Sequence, residues 1–202
     1  MKIYYCEQRS EEWYALRCGR MTASEAMTIA ANGKGLETYV YGVMAEKYSQ
    51  NREVGYIGKD MERGIELEDQ ARMTYEIEND PVEKVGFIEE DEYTGCSPDG
   101  LVGDEGGTEI KCVNDANFFR ILVDGYEAIE KKFIWQCQMS LLISKRKWWD
   151  LVIYNPNFEK NMLVFRIEPE LAKQERLIVG IAKGKLLIDQ LTQKYESRNG
   201  KI

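Results

Sequence analysis

Ser97-Pro98-Asp99-Gly100-Leu101-Val102, the turn Asp104-Glu105-Gly106-Gly107, and Thr108-Glu109-Ile110-Lys111-Cys112-Val113 form the stretch that decides the fold. Its two flanks are short and β-prone, and the acidic, glycine-rich turn between them predicts a hairpin of adjacent strands. Side chains alternate along a strand, so Glu109 and Lys111 share one face while Ile110 points to the other, into the core. Upstream, after Pro81, Val85-Gly86-Phe87-Ile88 reads as another strand, which makes the region from Val82 a β-meander.

Outward from the hairpin the period becomes helical. Helices are predicted over Ala116 to Leu122 and Tyr126 to Ser144, the second carrying apolar Phe133, Ile134, Cys137, Leu141 and Leu142. Strands Trp148 to Tyr154 and Leu163 to Ile167 flank the turn Asn155-Pro156-Asn157. An amphipathic helix from Glu170 to about Tyr195 follows, with Leu171, Leu177, Ile178, Ile181, Leu186, Leu187 and Leu191 as its apolar residues. On the other side, Thr22-Ala23-Ser24-Glu25 has capping-box form, with Thr22 at the N-cap and Glu25 at N3 of a helix reaching about Ala31. Asn32-Gly33-Lys34-Gly35 reads as a loop, and helices are predicted over Thr38 to Gln50 and Gly58 to Glu78. This order predicts an α/β fold of the α+β kind, a central mixed sheet flanked by helices. No repeat or linker interrupts it, so the expectation is one domain over residues 1–202.

Composition narrows the chemistry. Hydrophobic residues are 44% and charged residues 31% of the chain, too polar a balance for a membrane span, and the N-terminus carries no secretory pattern, so a cytoplasmic location is expected. Five scattered cysteines without a CxxC pair indicate neither a disulfide framework nor a zinc knuckle. Histidine is absent, which removes histidine bases, Ser-His and Cys-His nucleophiles and the usual zinc sites. Carboxylates, lysine and a hard metal remain. The net charge of -8 weighs against a nucleic-acid partner, although bound divalent ions offset acidic ligands and a basic groove can lie within an acidic surface.

Asp99, Glu109 and Lys111 supply the parts for hydrolysing a phosphodiester: oxygen ligands for magnesium, with the Ile110 carbonyl as a further ligand, and an amine beside the attacking water. Positive charge at such a metal lowers a lysine pKa, so that Lys111 orients or deprotonates the nucleophile. Glu68 is the choice for another carboxylate ligand, with Glu66 and Asp69 nearby. Taken alone, the pattern also fits a hairpin in which Asp99 and Gly100 serve a turn and Glu109 and Lys111 form a solvent-facing pair.

Four blocks make the pattern more specific. They are Trp13-Tyr14-Ala15-Leu16-Arg17-Cys18-Gly19 running into Thr22-Ala23-Ser24-Glu25; Gly64 to Arg72 with Glu68 and Ala71; Cys96-Ser97-Pro98-Asp99-Gly100-Leu101; and Glu109-Ile110-Lys111-Cys112. A fifth is Gln136-Cys137-Gln138 with Ser140. Together they resemble the lambda exonuclease family, the YqaJ-type viral recombinase nucleases of the PD-(D/E)xK superfamily, over Trp13 to Ser140. The resemblance implies a restriction-endonuclease-like core and a magnesium-dependent 5'-to-3' exonuclease on duplex DNA ends, with manganese as a substitute ion and two ions per site. It further implies a 3' single strand as product, a ring-shaped homotrimer that makes digestion processive, and a single-strand annealing protein as recombination partner.

Position by position, the resemblance makes Asp99, Glu109, Glu68 and the Ile110 carbonyl metal ligands, gives Lys111 the attacking water, and has Gln136 hold the site. Arg17, Ser24 and Ser97 fall where the family binds the 5'-phosphate, a role suited to a guanidinium fork and hydroxyl donors near a helix N-terminus. Lys34 is a candidate for contact near the duplex fork, in a region, Ala31 to Tyr39, shorter than in the phage enzyme. Val113 replaces the family's proline after Lys111-Cys112. Ser140 stands where RecB-type nucleases place a tyrosine, which favours the phage branch. Trp13 is expected to pack the first helix on the core, and Lys145-Arg146-Lys147 to be a solvated loop before a buried strand. The alternatives are an endonuclease or RecB-type enzyme of the same fold, and an end-binding protein without catalysis.

Overall fold

The computed structural model describes residues 1–50 and 59–199. Its strands are β1 (Lys2–Tyr4), β2 (Met21–Thr22), β3 (Val82–Glu83), β4 (Phe87–Glu89), β5 (Thr94–Cys96), β6 (Gly100–Val102), β7 (Gly106–Cys112), β8 (Trp148–Tyr154) and β9 (Met162–Ile167). Its α-helices are α1 (Glu11–Arg17), α2 (Ala26–Ala31), α3 (Lys34–Tyr48), α4 (Lys59–Glu78), α5 (Asp115–Asp124), α6 (Lys131–Ser144) and α7 (Leu171–Asn199).

β7 and β8 run parallel at the centre of a five-stranded sheet ordered β3-β6-β7-β8-β9, with antiparallel neighbours on both sides. Parallel strands need a long crossover, which α5 and α6 provide. β8 is buried from Trp149 to Tyr154, as the near-continuous apolar sequence of a doubly covered strand requires. Its polar exception, Asp150, accepts Arg166 through both oxygens at 2.9 Å and the Tyr75 hydroxyl at 2.7 Å.

The meander read from the sequence is divided between two sheets. β4 and β5 pair with each other inside a four-stranded mixed sheet, β1-β4-β5-β2, whereas β6 and β7 belong to the five-stranded one. The division falls at Ser97-Pro98-Asp99, between β5 and β6, where Pro98 has no N–H to offer a ladder. α6 lies against β4 and β5 of one sheet, β8 and β9 of the other, and α2 and α7. It is accordingly buried through Ile134, Trp135, Cys137 to Leu141, Ile143 and Ser144. On this side is the larger core, with Ile88, Leu101, Trp149, Leu151 and Ile153; on the α4 side a smaller one joins Ala71, Tyr75, Val82, Val102, Ile110 and Val152.

Several helix readings change. Ala23–Glu25 is a 3-10 turn, because Glu25 at φ -103° and ψ 15° interrupts the α geometry. Thr22 makes no capping bond, and Glu25 accepts the Thr28 hydroxyl at 3.1 Å, so the predicted capping box does not form. Asn32, left-handed at φ 53°, ends α2, and Gly33 immediately caps α3. Lys34 and Gly35 therefore begin a helix instead of lying in a loop. The first residue of the helix predicted from Gly58 lies outside the described residues. The helix read as continuous from Tyr126 is a 3-10 turn, Gly125–Ala128, followed by α6. In α7 the buried stripe runs through Leu177, Gly184 and Ile188, while Leu171, Ile178 and Leu186 are exposed. Gly180 lets α7 approach α2, since a Cβ there would lie 2.0 Å from the Ile29 carbonyl oxygen.

Candidate active site

Just before β6 begins, where the chain arrives from β5 of the other sheet, Asp99 replaces the missing ladder partner of β7. Its backbone N–H donates to the Thr108 carbonyl at 3.2 Å, and its Oδ2 accepts the Ile110 N–H at 2.6 Å. In an extended strand a residue's carbonyl points to the same edge as its N–H, so the Ile110 carbonyl faces the Asp99 edge too. Ile110 packs its side chain into the smaller core. On the opposite face, Glu109 is 2% exposed, and its Oε1 accepts both the Lys111 ammonium at 2.7 Å and the Gln136 side-chain amide at 2.6 Å. β7 is a central strand, and Glu109 is buried and bonded to Gln136 of α6, which excludes the reading of Glu109 and Lys111 as a solvent-facing hairpin pair.

The second oxygen of Glu109, Oε2, is buried and accepts no hydrogen bond from the described residues. Burial, then the charges of Glu109 and Glu68, push the Asp99 carboxyl well above the usual carboxylate range, against the pull of Lys111. Burial also raises Glu109, with Lys111 opposing and Glu68 reinforcing. For Lys111 desolvation acts downward but is outweighed by Glu109 and Asp99, so its pKa is raised. The sequence anticipates a lowered value, which requires a cation to neutralise those two carboxylates; the protein alone does the reverse.

Glu68 projects from α4 into a cleft of about 380 Å³ lined also by Asp99, Gln8, Arg9, Asp69 and Lys84, and accepts Arg9 Nη2 at 3.0 Å. Among the described residues no three His, Cys, Asp or Glu side chains close into a cage around an ion. Each carboxylate is instead turned to a protein donor: Asp99 to Ile110, Glu109 to Lys111 and Gln136, Glu68 to Arg9. The donor set still fits a hard divalent cation. It is all oxygen, it contains a buried carboxylate oxygen without a partner, and its mutually repelling carboxylates lack one compensating charge.

The three residues expected at a 5'-phosphate also converge. Arg17 donates Nη1 to Ser97 Oγ at 3.0 Å and Nη2 to Thr22 Oγ1 at 3.3 Å, and the Thr22 hydroxyl lies 3.1 Å from Ser24 Oγ. Trp13 reaches beyond packing: its indole N–H lies 2.9 Å from Ser97 Oγ, and its ring lies under the Arg17 guanidinium, 4.4 Å from its centroid. Ser97 stands two residues before Asp99, so one backbone bend joins both groups. Thr22 and Trp13 are participants that the sequence reading did not single out for this site. The Lys145-Arg146-Lys147 loop is partly structural, since Arg146 Nη1 donates to the Gly103 and Gly106 carbonyls at 2.7 Å each.

A family profile described as the YqaJ-like viral recombinase domain matches residues 12–147. The chain belongs to that family. The same span contains the Arg17 group, Asp99, Glu109, Lys111 and Gln136. Among solved structures, the fold of this YqaJ-like chain is similar to LHK-Exo in complex with dAMP, with a TM-score of 0.85 and 28% identity over 95% of this chain and 99% of that one. It is similar to the alkaline exonuclease LHK-Exo from Laribacter hongkongensis, with a TM-score of 0.79 and 29% identity over 93% and 99% of the two chains. A phage related exonuclease from Haemophilus somnus 129PT shares the fold, at a TM-score of 0.67 and 13% identity over 87% and 96%. None of the curated proteins matches. The fold is thus a restriction-endonuclease-like mixed α+β core. Among the described residues no helix is long and apolar enough to cross a membrane.

Proposed function

We propose that this YqaJ-like chain is a magnesium-dependent 5'-to-3' exonuclease that digests one strand of duplex DNA from an end and leaves a 3' single strand. The observation that carries the reading is the hydrogen-bonded group Asp99, Glu109, Lys111 and Gln136 set one bend away from the Arg17, Ser97, Ser24 group. One group has the parts for hydrolysis, the other for holding a terminal phosphate, and an enzyme that starts at ends uses both. The similarity to LHK-Exo, an alkaline exonuclease, supports it.

In this proposal Asp99, Glu109, Glu68 and the Ile110 carbonyl hold magnesium, or manganese in its place, at up to two positions. When bound, the cation would supply charge stabilisation on the phosphate oxygens and neutralise the carboxylates that hold Lys111 protonated. Lys111 would then lose its ammonium proton to solvent, and the neutral amine would orient the attacking water and take its proton. Gln136 keeps Glu109 Oε1 in place and leaves Oε2 as the oxygen that would be available to a cation. Arg17 gives bidentate recognition to the 5'-phosphate, and the Ser24 and Ser97 hydroxyls fix its orientation. Lys34, at the start of α3, is proposed to meet DNA near the fork. A homotrimeric ring would retain the substrate and make digestion processive, with a single-strand annealing protein receiving the product in the cytoplasm.

Digestion of linear duplex labelled separately at each end, with magnesium and with chelator, tests this reading. Loss of the 5' label in magnesium alone is expected. Cutting of closed circular duplex, which has no ends, would favour an endonuclease instead.

A further inference from the structure

Glu7 to Ser10 form a turn closed by the Ser10 N–H on the Glu7 carbonyl at 3.2 Å. Arg9 is its third residue and takes φ 69°, a position that glycine or asparagine occupies with less strain. The other described non-glycine residues with positive φ, Asn32 and Lys145, terminate α2 and α6. Arg9 terminates no helix. Its turn is anchored on both sides instead: the Gln8 amide donates to the Pro98 carbonyl at 2.8 Å, and Ser10 Oγ caps α1 through the Trp13 N–H at 3.2 Å. Between these anchors the guanidinium stands in the Asp99 cleft, on Glu68.

As a stabilising contact this pair achieves little, because the two side chains are 41% and 29% exposed. That gain does not account for a strained backbone whose neighbours are tied to the Ser97-Pro98-Asp99 bend, and strain of this kind collects at functional sites. Among the described residues, the other cation lining the cleft, Lys84, is paired with Asp69. Resting on the nuclease reading above, we infer that Arg9 is an exchangeable counter-ion: it holds Glu68 until a divalent cation takes that carboxylate, and then turns to a phosphate of the DNA in the cleft. The side chain is long enough to swing while the backbone stays fixed, and its planar fork matches a phosphate as well as a carboxylate.

The test is binding of a labelled duplex over a salt series, with calcium replacing magnesium to suppress cleavage, for wild type, Arg9→Gly and Arg9→Lys. Glycine removes the guanidinium while relieving the backbone, so the melting temperature should hold or rise. Arg9→Gly is expected to weaken binding by about tenfold and to flatten the slope of log affinity against log salt by about 0.9, the share of one phosphate contact. Arg9→Lys should keep the slope and recover part of the affinity. Without DNA, Arg9→Gly should bind manganese more tightly in calorimetry, since a competing charge is gone. A wild type that digests linear duplex in magnesium while Arg9→Gly keeps the full salt slope would overturn the assignment of Arg9 alone. A wild type inert toward duplex ends would overturn the nuclease reading with it.

Discussion

Asp99 Oδ2 accepts the Ile110 backbone N–H at 2.6 Å, so one carboxylate both completes the edge of β7 and stands at the head of the proposed metal site. The two duties separate under substitution. An asparagine in its place would still offer an oxygen to Ile110 but no charge. Because the folded-state pKa of Asp99 is raised, its contribution to stability is complete below the ordinary value of about 4 and is lost as pH rises through the folded value. Asp99→Asn should therefore raise the melting temperature at pH 8 in chelator by about 2–4 °C, corresponding to about 1 kcal/mol, with the difference closing near pH 4. Magnesium should stabilise wild type at pH 8 and barely move the variant. Scanning fluorimetry across pH checks both, and a lowered melting temperature at pH 8 would contradict the argument.

Gln136 and Lys111 share Glu109 Oε1, the amide at 2.6 Å and the ammonium at 2.7 Å. Gln136→Ala leaves Lys111 as the one side-chain donor to that oxygen among the described residues and lets the carboxylate rotate. A loss of about 10–100-fold in turnover and a higher half-activating magnesium concentration are expected, as for other residues that orient metal ligands. Steady-state rates over a magnesium series measure both, and unchanged values would remove Gln136 from the site.

Arg17 is half-buried among Ser97, Thr22 and Trp13, and desolvation lowers its pKa while nearby Tyr39 and Glu46 oppose. Arg17→Lys keeps a charge but loses the fork. Digestion of 5'-phosphorylated ends should slow by about tenfold or more, with 5'-hydroxyl ends little affected. Equal losses on both kinds of end, measured on matched duplexes, would contradict phosphate recognition.

Asp150 is 1% exposed and depends on Arg166 and Tyr75. Arg166→Ala removes its charge partner and leaves Tyr75 as the remaining side-chain donor. A destabilisation of about 2–3 kcal/mol is expected, discounted from a fully buried pair because Arg166 is half-exposed. Urea titration measures it, while DNA cleavage at permissive temperature should be unchanged.

The alternation of Glu109, Ile110 and Lys111 was legible because β7 is long enough to show a period of two, and β8 was legible from end to end because it is apolar apart from Asp150. β1 to β6 are two or three residues each, too short for any period, which is why one meander was read where two sheets meet. The start of α3 was hidden because a left-handed Asn32 and a capping Gly33 make a two-residue corner that resembles a loop in composition. Residue type and spacing suggest Asp99, Glu109 and Lys111, while the accompanying sequence blocks make them specific and add Gln136. Gln8 and Arg9 are not suggested in this way: their partners are 90 and 59 residues away, and nothing local marks the turn that carries them.

The account rests on Asp99, Glu109 and Lys111 acting together on a DNA phosphate. Single-turnover digestion of linear duplex in magnesium by wild type and Lys111→Ala, with DNA binding measured on the same preparations, tests it most directly. A loss of about a thousandfold in cleavage with binding within about threefold is predicted, the scale of a lost general base. Cleavage by Lys111→Ala at the wild-type rate would contradict it.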